Sequence, residues 1–156
     1  MPHGPRCYPR SEMPIEFLRL RRLMQVSLAM YVIGLITYAA FPDRLFGWFE
    51  PWTRMAGLQD TPASSERFWL ALALALMVLL ASSAWLIAKA PQQNLALCVP
   101  MFLSKTTGSL AGLYFFFTWQ HHGSLLLIGV SDAPMALATW WFWRAAHAAA
   151  NKRTPS

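Results

Sequence analysis

Four apolar runs, each long enough to cross a bilayer as a helix, limit this chain to one kind of architecture. Residues 23–41 and 68–88 carry no charge, whereas residues 95–117 and 124–143 carry one each, Lys105 and Asp132. About 20 apolar residues in a helix span the ~30 Å of bilayer hydrocarbon. Only helices and closed barrels satisfy every backbone donor and acceptor in lipid, and these runs are about twice the length of a barrel strand. The Ala-Leu alternation at 71–76 has a strand's period, but both residue types are apolar and both are good helix formers. The expected fold is therefore an all-α integral membrane four-helix bundle, with helices near 14–41, 66–89, 94–118 and 124–148.

Composition agrees. Of 156 residues, 56% are apolar and 13% charged, about half the charge of a soluble domain. The net charge of +6 does not indicate nucleic acid, because the basic residues stand at the ends of apolar runs and not on a solvated face. Cys7 and Cys98 lie in unlike contexts, so no disulfide is expected.

Residues 1–13, rich in Pro, Arg and Gly, read as a disordered tail, with Met13 an alternative start, and residues 149–156 as a frayed one. Pro14 suits a first helical turn and Glu16 suits the positive end of the helix dipole. Arg19, Arg21 and Arg22 followed by an apolar run, with Thr37-Tyr38-Ala39 at its end, also describe a cleavable signal. The run is longer than the roughly 7–15 residues of a signal's apolar core, so the reading is a retained anchor. The only long connection, residues 42–65, alternates Leu45, Phe46, Trp48, Phe49, Trp52 and Met55 with Asp43, Arg44, Glu50 and Arg54. Such a segment lies along the membrane interface, as a plain loop or as an outer lid carried by Trp48 and Trp52.

Lys and Arg number nine in residues 1–22, the 89–94 turn and residues 144–156, against three in residues 42–67 and none in the 118–124 turn. The positive-inside rule then puts both termini in the cytoplasm. Trp85, Trp140, Trp141 and Trp143 fall at the inner boundary, and Trp48, Trp52, Trp69 and Trp119 at the outer one, as two aromatic belts would.

Lys105 and Asp132 flank the turn near residue 120 at similar separations, so a rise of ~1.5 Å per residue puts them at similar depth. A charge near the bilayer centre costs roughly 2.5–3.5 kcal/mol on insertion scales, which favours their pairing inside the bundle. Cys98, Met101, Gly108, Ser109 and Gly112 share a helical face with Lys105, while Leu103, Leu110, Tyr114 and Phe117 form the bulky face. Gly108 and Gly112 make a small-xxx-small pair that permits close approach of a neighbouring helix. Pro134, two residues after Asp132, removes the amide that would bond the carbonyl of Val130. The pair reads either as structural or as part of a functional polar site, with Cys98, Ser104, Thr106 and Thr107 as further neighbours. His121 and His122 are adjacent and point about 100° apart on a helix, so regular structure cannot aim both at one metal. No nucleophile elbow, phosphate loop, HExxH or paired CxxC occurs, and no catalytic residues are expected.

The Arg-rich start of the first helix, Phe41-Pro42 at its end, Phe68-Trp69 opening the second helix, a Lys in the third and an Asp in the fourth together resemble the DoxX-like small bacterial membrane proteins. The resemblance covers residues 18–144. It implies a bacterial inner-membrane location, a non-catalytic accessory role, and quinone as the associated cofactor. The expected partners are the lipid bilayer and another membrane chain or a second copy. The alternative is a small-solute or proton-coupled transporter using the Lys–Asp pair. In either case the ligand is expected on the outer half of the bundle, under the long connection.

Overall fold

The computed structural model describes residues 13–41, 47–48, 50–58, 67–119 and 121–152. The expectations for the tail before residue 13, for most of the long connection and for the last four residues lie outside the described residues. The described residues form helices α1 (Ile15–Ala40), α2 (Glu50–Met55), α3 (Arg67–Lys89), α4 (Cys98–Thr118) and α5 (Gly123–Asn151), with a 3-10 turn, Leu95–Leu97, leading into α4. No strand is found among them.

The helix ends follow local chemistry. Pro14 precedes α1, and its carbonyl accepts the amides of Phe17 and Leu18 at 3.1 and 3.2 Å. Phe41 stands before Pro42 and takes φ −138°, ψ 55°, outside the helical region that a following proline disfavours. The Asn94 side chain donates to the carbonyls of Leu86 at 2.8 Å and Ala90 at 3.1 Å, which also accept backbone amides, and so ties the following turn to the end of α3. Ser27, Thr37, Ser83 and Thr118 donate to the carbonyl four residues back, which satisfies their hydroxyls without water. The last helix runs to Asn151, beyond the expected end at 148, through a stretch of alanines that favours helix.

α1 packs along α3, and α4 along α5; α1 also meets α5, whereas α3 and α4 touch little despite the short turn that joins them. The core lies at one end. There Phe17, Leu20 and Met24 of α1 meet Ala84, Ile87 and Ala88 of α3, Cys98 and Met101 of α4, and Ala146 of α5. Toward the other end the apolar side chains of α1 and α3 turn outward, as with Ile33, Ile36, Leu72 and Leu76. α2 touches α5 at Gly123, which leaves room for the Thr53 side chain.

Among the described residues three helical stretches, Ile15–Ala40, Leu70–Lys89 and Gly123–Asn151, are long and apolar enough to cross a membrane. Away from their charged ends the exposed side chains are mostly apolar, as with Ile33, Ile36, Leu79 and Leu137, which suits lipid. α4 is not one of the three, although its 21 residues give about 31 Å of helix. The reason is its middle, Ser104-Lys105-Thr106-Thr107-Gly108-Ser109, which is polar throughout.

Candidate functional site

The polar middle of α4 is turned partly onto α5. Lys105 Nζ lies 2.8 Å from Asp132 Oδ1, a charge-assisted hydrogen bond between residues 27 apart in sequence. The same ammonium stands 5.1 Å from the centre of the Tyr31 ring, within reach of a cation–π interaction worth on the order of 1–2 kcal/mol at a desolvated site. The site thus draws on three helices.

Close backbone approach makes this contact. A Cβ at Gly112 would meet the Leu125 carbonyl at 2.8 Å and the Gly129 amide at 2.9 Å, and a Cβ at Gly129 would meet Leu113 at 2.7 Å. Ser109 Oγ donates to the Gly129 carbonyl at 2.7 Å. Gly108 faces the site itself, with Asp132 Oδ2 2.6 Å from where its Cβ would stand. Small residues at these positions let the two helix backbones approach closely.

The pair is partly open. Side-chain exposure is 16% for Lys105 and 18% for Asp132, and among the described residues each has only the other as hydrogen-bond partner. An ammonium has three donors and a carboxylate about four acceptor positions. Most of this capacity is left for a third group.

The other residues singled out from the sequence divide. Gly108 and Gly112 line the α4–α5 contact. Cys98 is 1% exposed and packs in the core at the end of the bundle, seven residues or about 10 Å along the helix from Lys105. Ser104 and Thr107 are exposed. Thr106 Oγ1 is buried with no hydrogen-bond partner. α5 continues as helix through Pro134. Trp48 and Trp52 lie at 59% and 70% exposure. His121 stacks edge-on against Phe116 with ring centres 5.3 Å apart, and among the described residues no three His, Cys, Asp or Glu side chains gather as metal ligands. Tyr31 is the site residue that the sequence did not mark. Its position in α1 carries no periodic signal toward α4.

No family model matches the chain, and neither a curated protein nor a solved structure does.

Proposed function

We propose that the chain is a four-helix, multi-pass protein of the bacterial inner membrane with both termini cytoplasmic, and that it binds a small apolar ligand through Lys105 and Asp132 as a non-catalytic membrane component of DoxX-like type. α4 is the fourth span in this reading, its polar middle tolerated because α5 neutralises the charge. The observation that carries the proposal is the unused capacity of a partly open pair. A purely structural ion pair in lipid is favoured when its remaining donors and acceptors are satisfied. Here the ammonium is free to donate to an oxygen acceptor, and Tyr31 supplies a flat apolar neighbour. A quinone, with a carbonyl oxygen on an apolar ring, has the matching chemistry, and the DoxX-like resemblance points the same way.

The test is mass spectrometry of protein purified in mild detergent, together with added quinone. A co-purifying quinone, or a rise in Tm with quenched tryptophan fluorescence that Lys105→Gln abolishes and Ser104→Ala leaves intact, is the expected result. No co-purifying molecule and no response to quinone would leave the pair a structural one. A transport reading rests on the Lys105–Asp132 pair with Pro134 close by, since within the continuous α5 the proline leaves the Val130 carbonyl without its helical amide donor beside the carboxylate. It expects proton or solute flux in proteoliposomes that Asp132→Asn abolishes.

A further inference from the structure

At the end of the bundle that holds the core, two tryptophans lie one helical turn before a cation and stack beneath it. Lys89 Nζ is 5.1 Å from the centre of the Trp85 ring, and Arg144 Cζ is 5.5 Å from that of Trp140. Lys89 ends α3, Arg144 belongs to α5, and both side chains are exposed. Among the described residues neither has a carboxylate partner, and Glu16 is the acidic residue at this end beside Arg19, Arg21, Arg22, Lys89, Arg144 and Lys152.

The two stations share a level. Counted from the opposite helix ends, Lys89 is 22 residues from Arg67, Arg144 is 21 from Gly123, and Arg22 of α1 is 18 from Ala40. At ~1.5 Å per residue these are about 27–33 Å, one hydrocarbon thickness. Each indole therefore lies at the hydrocarbon edge and each cation one turn further out, at the level of the lipid phosphates.

We infer that Trp85–Lys89 and Trp140–Arg144 are two binding stations for the headgroups of anionic phospholipids in one leaflet. This rests on the membrane reading above, though not on the ligand proposed there. Indole stacking fixes each cation over a ring face and limits its swing into solvent, while its outer N–H groups remain free for a phosphate. Two stations on different helices at one depth fit a sheet of anions. A single acidic peptide or a strand of nucleic acid would have no reason to meet cations set over indoles at the hydrocarbon edge.

The experiment uses the full chain in phosphatidylcholine nanodiscs, titrated with short-chain phosphatidylglycerol and read by Tm and tryptophan fluorescence. Wild type should respond to phosphatidylglycerol but not to short-chain phosphatidylcholine or to inorganic phosphate at the same concentration. The Lys89→Gln/Arg144→Gln variant should bind about 25-fold more weakly, the product of about fivefold for each surface cation. The Arg22→Gln/Lys152→Gln variant removes the same charge from positions without a stacked indole, so it reads the loss due to net charge alone, which should be clearly the smaller of the two. Equal loss in the two variants, equal response to the neutral lipid, or an equal response to free phosphate would overturn the two stations. A chain that enters the nanodiscs but shows no preference overturns this inference alone; a chain that does not enter overturns the membrane reading with it.

Discussion

The carboxylate of Asp132 rests against Gly108, its Oδ2 only 2.6 Å from the place a Cβ would occupy. Gly108→Ala therefore has to move Asp132 and loosen its bond to Lys105, at a cost of about 1–3 kcal/mol for overpacking. Gly112 is more severe, because its Cβ would meet the backbone of α5, at 2.8 and 2.9 Å, which cannot rotate aside as a side chain can. Thermal unfolding in detergent should rank the variants wild type, Gly108→Ala, Gly112→Ala in falling Tm. The reverse order of the two variants would mean that the helices do not approach as described.

Breaking the ion pair from one side leaves an uncompensated charge in a site of low dielectric. Lys105→Ala and Asp132→Ala should each destabilise the bundle by about 3–5 kcal/mol. The double variant should cost much less than the sum of the two, since the second substitution removes the charge that the first exposed. Additive losses in a double-mutant cycle would show that the two side chains do not interact.

Trp48 and Trp52 are exposed at 59% and 70%, so neither indole is part of a packed interior. Truncating both to Ala should change stability by no more than about 0.5 kcal/mol, the range of surface substitutions. If the long connection serves as a lid, the same variant weakens quinone binding, read as a smaller ligand-induced rise in Tm. A large loss of Tm without ligand would instead make these residues structural.

A reporter fused after Gly123 tests the topology. With both termini cytoplasmic, the α4–α5 turn lies outside, and a reporter active only beyond the cytoplasm should be active there. Cytoplasmic behaviour at that position inverts the orientation.

What the sequence by itself determined is the part that depends on spacing along the chain. Uncharged runs of about 20 residues become helices in the absence of water, because no other open structure satisfies the backbone. Lys105 and Asp132, set at similar distances from one turn, come to similar depth because a helix rises by a constant amount per residue. Gly108 and Gly112, four apart, share a face for the same reason. Ser104 and Thr107 were read as neighbours of the pair because they adjoin Lys105 in sequence, but at 100° per residue they fall about 100° and 200° round the helix from it, and both are exposed. Tertiary structure decided which helices are neighbours, and no periodicity within one helix encodes that. The stacking of Tyr31 under Lys105, the burial of Cys98 with Phe17 and Leu20 and away from the ion pair, and the slight contact between α3 and α4 all follow from how α1 inserts against α5. That placement is a sum of many weak packing contacts spread over separate helices, and only the folded arrangement brings them together.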